Sequence, residues 1–92
     1  MSAERKTCLI VNKRGLHARA SAKFVGAVSA LPPGVAVKVT KDGNEAAGGS
    51  ILGLMMLGAA KGDSVELIVE GDNAPQVMAE LSAMVEDGFG EE

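Results

Sequence analysis

The spacing of hydrophobic and polar positions in the first third of the chain predicts a strand followed by a helix. Residues 7–11 form a short β-branched and apolar run, which is typical of a buried strand. Between residues 18 and 31 apolar side chains recur with helical spacing, and Pro32 with Pro33 ends this helix. Its predicted apolar positions are Ala18, Ala22, Phe24, Val25, Val28 and Leu31.

The middle of the chain has the pattern of a β-hairpin. Residues 35–40 alternate between apolar and polar side chains, as expected of a strand with one buried face. Asp42 and Gly43 follow, and because both residues tolerate positive φ they predict a two-residue turn. Residues 44–47 are then the returning strand. Residues 65–70 alternate in the same way and predict a fourth strand.

Two further helices are predicted in the second half of the chain. Ser50 is a suitable N-cap for a short helix at residues 51–57. The last helix is expected to start after Asp72 or Asn73 and to end at Gly88. Its apolar stripe consists of Val77, Met78, Leu81, Met84 and Val85.

These elements follow the order β-α-β-β-α-β-α. Two strands have polar outer faces, so the sheet is predicted to be antiparallel, with one face in water and the helices on the other. The expected fold class is therefore α+β, a two-layer sandwich of the split-βαβ kind. A chain of 92 residues rarely divides into two stable cores, so residues 1–92 are expected to form one domain. Glu91 and Glu92, beyond the last helix, are expected to fray.

Composition narrows the class of function. Hydrophobic residues make up 47% of the chain and charged residues 23%, which suffices for a core and excludes a disordered polyelectrolyte. The chain has two Phe, no Trp and no Tyr, so binding of nucleic acid by aromatic stacking is not expected. Cys8 is the single cysteine, which excludes an intrachain disulfide and a multi-cysteine metal site. We expect neither a metal nor another cofactor.

The sequence predicts no targeting or membrane segment. The apolar run at residues 8–11 is shorter than a signal peptide requires, and a membrane span needs about 20 residues. We therefore expect a cytoplasmic protein without membrane insertion.

Charge is distributed unevenly along the chain, although its net value is only −3. Residues 1–23 contain six Lys or Arg residues and one acidic residue, whereas residues 62–92 contain nine acidic residues and no Lys or Arg. The basic region suits an anionic ligand or an acidic protein surface, and the acidic region argues against nucleic acid as a partner. The charge counts alone favour an ordinary solvated surface.

His17 is the single histidine and precedes the first predicted helix. A helix start presents free backbone N–H groups to an anion, and an imidazole placed there can act as a nucleophile toward a phosphoryl group. Arg19 can add a charge-assisted contact. Taken alone, the residues favour a plainer interpretation, a helix cap or a solvent-facing ring, because a short motif has many chance matches. A metal site and Ser–His–Asp hydrolysis through Ser21 are both disfavoured.

Two stretches resemble a known family. Residues 14–24 (RGLHARASAKF) resemble the active-site segment of HPr, the histidine phosphocarrier of the bacterial phosphoenolpyruvate-dependent phosphotransferase system. Residues 49–62 (GSILGLMMLGAAKG) resemble that family's regulatory-serine helix. The resemblance covers nearly the whole chain. It implies a four-stranded antiparallel sheet of order 1-4-2-3 with three helices on one face.

The resemblance also implies roles for individual residues. His17 would be phosphorylated at Nδ1 by enzyme I and would pass the phosphoryl group to an enzyme IIA-type protein, so the chain would be a carrier and not an enzyme. Arg19 matches the family's active-site arginine. Ser50 matches the serine that a dedicated HPr kinase modifies in some lineages. Ala20 departs from the family pattern, which usually has proline at this position.

The short second helix is more apolar than its length requires. Leu54, Met56 and Leu57 are expected in the core. The resemblance implies a docking surface for partners, formed by Arg14, Ala18, Lys23, Ile51, Leu52 and Met55, on a protein expected to be a monomer. The alternative is a regulatory binding module of the same fold that has lost phosphotransfer, which Ala20 favours. The pathway, sugar uptake or a nitrogen-type regulatory branch, stays open.

Overall fold

The computed structural model describes residues 3–91. The elements in chain order are β1 (Glu4–Leu9), α1 (Ala18–Ser29), β2 (Ala36–Lys41), β3 (Asn44–Ala47), α2 (Ile51–Met56), β4 (Ser64–Glu70), α3 (Ala74–Glu86) and a 3-10 turn (Gly88–Gly90). The four strands form one antiparallel sheet in the order β1-β4-β2-β3. Three helices accompany this sheet, which confirms the expected fold.

The sheet has one buried face and one face toward solvent, and β4 shows why. Val65, Leu67 and Val69 are buried, while Glu66 and Glu70 alternate with them and are more exposed; Ile68, between the two glutamates, is 8% exposed. Since successive side chains of a strand point to opposite faces, the alternation directs the valines and Leu67 toward the helices. The central position of β4, between β1 and β2, makes these residues the middle of the core.

The edge strand β1 differs from its prediction. The strand begins at Glu4, earlier than expected, because the polar residues at its start pair with β4, as in Glu4 opposite Val69. Cys8 and Ile10 are buried, but Leu9 is 50% exposed. Backbone pairing with β4 decides how far β1 extends, so the apolar run in the sequence covers only part of the strand.

The buried face of α1 also differs from its prediction. Ala20, Ser21 and Phe24 are buried, whereas Ala18 and Ala22 are exposed. Alanines occur on several faces of this helix and bury too little area to decide its orientation. The large side chain of Phe24, which is 1% exposed, sets the face that packs on the sheet.

The short helix α2 is buried along one side only. Leu54 and Leu57 are in the core, as expected, but Met56 is 76% exposed and its predicted core position is wrong. A helix of six residues presents a single turn and a half, so neighbouring apolar positions cannot all face inward.

The local turn and capping signals describe the loops well. Asp42 and Gly43 have φ values of 51° and 83°, as a two-residue hairpin turn with both central residues left-handed requires. Asn73 is at the N-cap position of α3, but its side chain makes no capping hydrogen bond.

Within residues 3–91, no helix combines the length and the apolar character that crossing a membrane demands.

Burial of the Cys8 thiol leads to a first prediction. The residue is 1% exposed, and desolvation raises the pKa of the thiol, so little of the reactive thiolate is present. We expect the native protein at neutral pH to react with a thiol reagent at least about tenfold more slowly than the protein in denaturant. Absorbance of the released chromophore measures both rates, and equal rates would contradict the placement of Cys8 in the core.

Candidate active site

The loop between β1 and α1 is held by a small set of hydrogen bonds. The Asn12 side chain is buried, and its Nδ2 donates to the carbonyl oxygen of Gly15 over 2.9 Å. The Gly15 N–H donates back to the Asn12 carbonyl oxygen over 3.2 Å. The Leu16 N–H donates to the carbonyl oxygen of Ala59 over 3.0 Å, and the Leu16 side chain enters the core. The backbone entering position 17 is therefore fixed on both sides.

Gly15 is required in this loop by two independent constraints. Its φ is +60°, in the left-handed region that residues with a side chain rarely adopt. A Cβ atom at this position would clash with the carbonyl oxygen of Ala59 and would lie 2.8 Å from the Cα of Ala60. The loop can approach the segment after α2 this closely only because residue 15 has no side chain.

His17, which the sequence predicts at or next to the start of the first helix, is the N-cap of α1. Its backbone is extended, with φ −76° and ψ −176°, and its carbonyl oxygen accepts the first helical hydrogen bond, from the Ser21 N–H at 2.9 Å. The ring Nδ1 accepts a hydrogen bond from the Arg19 N–H over 3.2 Å. The imidazole thus satisfies one of the free N–H groups at the start of the helix.

The other ring nitrogen of His17 faces a carboxylate. Its Nε2 lies 2.9 Å and 3.0 Å from the two carboxylate oxygens of Glu91. An ionised carboxylate only accepts hydrogen bonds, so Nε2 carries the proton and donates it. In the neutral ring Nδ1 then holds the lone pair, an assignment made from its hydrogen-bond partners. This lone pair points toward the first turn of α1.

Glu91 is the site residue that the sequence analysis missed. Its side chain is 16% exposed, and one carboxylate oxygen also accepts a hydrogen bond from Asn12 Nδ2 over 3.1 Å. The expected fraying is therefore wrong for Glu91, while Glu92 lies outside the described residues. Two glycines that bracket Phe89 were the available signal, because they permit a turn that returns a large apolar side chain to the core.

Hydrogen bonds donated by His17 and Asn12 hold the pKa of the Glu91 carboxyl below its usual value. Because the folded-state pKa is the lower one, this pairing stabilises the folded chain fully above the usual carboxyl range. Its contribution is lost as the pH falls through the lowered folded-state pKa.

A basic cavity is lined by residues that neighbour or contact His17. An open cavity of about 390 Å³ is lined by Lys13, Arg14, Arg19, Lys23, Gly90 and Glu91. Two of these lining residues contact His17: Arg19 through its backbone N–H and Glu91 through its carboxylate. Four cationic side chains around one concave surface create a positive potential that favours an anion. The expected residues Arg14, Arg19 and Lys23 are thus brought together by the fold.

The residues predicted on α2 form a second group. Ile51 and Met55 are each 40% exposed, and Leu52 is 68% exposed. We call these three side chains the α2 patch. They lie on a helix that packs against α1, the helix that begins at His17. Ala18, the first residue of α1, directly follows His17 and is exposed.

Ser50 is the N-cap of α2. Its Oγ accepts a hydrogen bond from the Gly53 N–H over 3.0 Å, as expected of a capping serine. Its backbone is extended, with φ −116° and ψ 109°. This contact alone accounts for a serine at the start of the helix.

Ala20, in place of the usual proline, leaves the helix start undisturbed. The residue is 0% exposed and packs in the core, three positions after the N-cap. Alanine is an excellent helix former, so α1 forms without the proline.

Comparisons with known proteins place these features in a family. A family model described as PTS HPr component phosphorylation site matches residues 4–87. The phosphocarrier protein HPr of Neisseria meningitidis serogroup B is 45% identical over 82 residues, covering 89% of this chain and 90% of that protein. The phosphocarrier protein NPr of Escherichia coli K12 is 31% identical over 88 residues, covering 96% of this chain and 97% of that protein.

A solved structure shows the same fold. HPr-C-His from Thermoanaerobacter tengcongensis superimposes with a TM-score of 0.88 and is 38% identical, covering 97% of this chain and 98% of that chain. The likeness therefore extends over the whole sandwich.

The loop before His17 gives a second prediction. Gly15→Ala forces the loop away from Ala59 and Ala60, and we expect the free energy of unfolding to fall by about 1–3 kcal/mol. Gly26→Ala is the matched control, because this glycine lies within α1 and a Cβ there meets nothing within 4 Å. The control should be stabilised by about 0.5–1 kcal/mol. Urea unfolding measures both changes, and equal effects would disprove the close approach at Gly15.

Proposed function

The chain belongs to the HPr family, and we propose that it accepts a phosphoryl group on Nδ1 of His17 from enzyme I and passes it to an enzyme IIA-type protein. Its role in the phosphotransferase system is that of a phosphocarrier, not of an enzyme. One observation supports His17 most directly. The ring Nδ1 caps the start of α1, and two residues that contact the ring, Arg19 and Glu91, line a cavity with four cationic side chains.

The transfer step follows from this geometry. The lone pair of His17 Nδ1 forms a bond to phosphorus while the bond from phosphorus to the donor's histidine nitrogen breaks, and that electron pair returns to the donor ring. The same displacement, with His17 as the leaving group, delivers the phosphoryl group to the acceptor. No water takes part, and no group other than the phosphoryl moves between the proteins.

The cationic side chains stabilise the charge that moves. Phosphoryl transfer depends mainly on positioning and on neutralising the phosphoryl oxygens. Arg19 lines the cavity, and its backbone N–H donates a hydrogen bond to His17 Nδ1. We propose that its guanidinium contacts the phosphoryl oxygens, with Lys13, Arg14 and Lys23 adding to the local positive potential.

We propose that partners dock on the α2 patch and on the basic rim of the cavity. The α2 patch supplies exposed apolar area, and Met55 can repack against partners of different shape. Arg14, Ala18 and Lys23 complete this surface on the side of α1, and the two basic side chains steer acidic partners toward it. A carrier must also release each partner, so a contact of modest area suits the role.

The wider setting is proposed from the family. Residues 1–92 act as one HPr-like domain, a monomer in the cytoplasm, without cofactor and without nucleic acid as a partner. The pathway is sugar uptake or its regulatory branch, because relatives named HPr and NPr are both similar to this chain.

A substitution of His17 tests the carrier function. His17→Asn should keep the helix cap, because asparagine is a favourable N-cap, and its free energy of unfolding should stay within about 1 kcal/mol of wild type. It should accept no phosphoryl group, because the nucleophilic nitrogen is gone. Incubation with phosphoenolpyruvate and enzyme I, followed by mass spectrometry, measures the acid-labile adduct.

Two controls make this test decisive. His17→Ala removes both cap and nucleophile, so comparison with His17→Asn separates folding from chemistry. A wild-type chain without an adduct would favour the alternative, a binding module of the same fold. An adduct on His17→Asn would place the phosphoryl group elsewhere.

We propose that modification of Ser50 by an HPr kinase weakens docking without unfolding α2. The hydroxyl lies beside the α2 patch, where added negative charge repels acidic partners. Ser50→Asp should therefore slow transfer about fivefold or more at low salt, and less at high salt. Ser50→Asn is the matched control, since it keeps the shape and the cap without the charge.

Transfer reactions with labelled phosphoenolpyruvate, quenched at successive times, measure these rates. Equal rates for the Asp and Asn variants would contradict the proposed role of charge at Ser50. Loss of α2 in the Asp variant, detected by circular dichroism, would contradict the claim that the fold persists.

A further inference from the structure

We propose that Glu91 is a positioning residue for phosphoryl transfer through His17. Its carboxylate accepts the Nε2–H hydrogen bond, keeps Nδ1 as the unprotonated nitrogen, and stabilises the ring when it becomes cationic. This inference rests on the proposed function of His17 and assigns a second residue to the same step.

The contact between the two side chains is close and shielded. Both oxygens of Glu91 lie within 3.0 Å of His17 Nε2. The side chains are 17% and 16% exposed, so water competes weakly for the hydrogen bond. A charge-assisted hydrogen bond in such a place is stronger than one at an open surface.

The segment that carries Glu91 has an unusual backbone. Phe89 has a φ of 57°, and Gly88 and Gly90 on either side of it have φ values of 66° and 73°. Left-handed geometry is rare for a bulky residue and persists only where the surroundings determine it. Burial of the Phe89 side chain, which is 3% exposed, is one such determinant.

Hydrogen bonds supply the remaining determinants. Lys23 Nζ donates to the Phe89 carbonyl oxygen over 2.7 Å, and the Glu91 N–H donates to the Gly88 carbonyl oxygen over 3.0 Å. The segment at residues 88–91 is thus tied to α1 just before it delivers its carboxylate to the ring. Its left-handed turn aims Glu91 back toward the start of α1.

Asn12 links the carboxylate to the loop that positions His17. One Nδ2 group donates both to the Gly15 carbonyl oxygen and to Glu91. This orientation leaves the buried Asn12 Oδ1 without a partner among the described residues. The opposite orientation of the amide would place the acceptor Oδ1 against the carboxylate of Glu91, where two oxygens repel each other. The orientation with an unpartnered Oδ1 is therefore the more favourable one.

Glu91 fits the charge changes of the reaction. When Nδ1 bonds to phosphorus and the donor nitrogen takes back its electron pair, the His17 ring keeps the Nε2 proton and becomes cationic. A carboxylate hydrogen-bonded to that proton stabilises the ring, as in the pairing of an aspartate with a catalytic histidine. When the phosphoryl group leaves, its bonding pair returns to Nδ1 and the ring is neutral again.

Transfer rates test this role. We expect Glu91→Ala to slow phosphorylation of His17 by about tenfold or more, because it removes a charge-assisted hydrogen bond. Glu91→Gln keeps an acceptor oxygen without the charge, so its rate should fall between Glu91→Ala and wild type. Glu80→Ala is the matched control, since it removes the same charge from an exposed position on α3 and should transfer at the wild-type rate.

Nitrogen-15 NMR of the histidine ring gives a readout independent of any partner protein. In the unphosphorylated wild type, the Nε2–H of His17 should give a distinct signal protected from exchange with water. Glu91→Gln and Glu80→Ala should keep that signal, and Glu91→Ala should lose it. If residues 88–91 act only by packing, Glu91→Ala leaves both the signal and the transfer rate unchanged as long as the chain stays folded.

The outcomes separate the two proposals. A wild-type chain that accepts the phosphoryl group, with Glu91→Ala equally fast or faster, overturns the role of Glu91 and leaves the carrier function standing. A wild-type chain that accepts none overturns both. An unprotected Nε2–H in wild type also overturns the role of Glu91, whatever the transfer rates.

Discussion

The candidate site depends on one hydrogen bond that the His17 ring makes with the start of α1. Nδ1 of His17 accepts the Arg19 N–H, so the lone pair proposed for phosphoryl transfer is the lone pair that caps α1. The bond is 3.2 Å long, at the upper end of the usual range for hydrogen bonds. A phosphoryl group on Nδ1 would bring its own oxygens to the same N–H donors, and these oxygens would replace the ring as the cap. The first turn of α1 would then be capped both with and without a phosphoryl group on His17.

Contacts elsewhere in the fold hold the His17 ring in its position. Gly15 allows the loop to press against the segment after α2, and Leu16 anchors it in the core. The sheet holds the start of this loop in place, because the edge strand β1 pairs with the central strand β4. As a result the imidazole is fixed by backbone contacts on one side and by side chains on the other.

Features that depend on neighbouring residues could be predicted from the sequence, whereas contacts between distant residues could not. The hairpin at Asp42 and Gly43 and the N-cap at His17 depend on a few neighbouring residues, so they could be identified directly. The strand order came from family resemblance, because periodicity does not tell which strands pair. Met56 was misplaced because burial depends on what the rest of the fold brings opposite a helix. Glu91 was missed for the same reason, since its partners, His17 and Asn12, lie 74 and 79 positions away.

That separation has a consequence for the order in which the site forms. Contacts between distant parts of a chain form after the loop between them has closed, and closure over such a length depends on the intervening sheet and helices. The capped helix start is local and can exist early in folding, with an imidazole that lacks its carboxylate. Formation of the pair therefore requires the sheet and helices to be in place, and a partly folded chain would carry the His17 imidazole without its carboxylate partner.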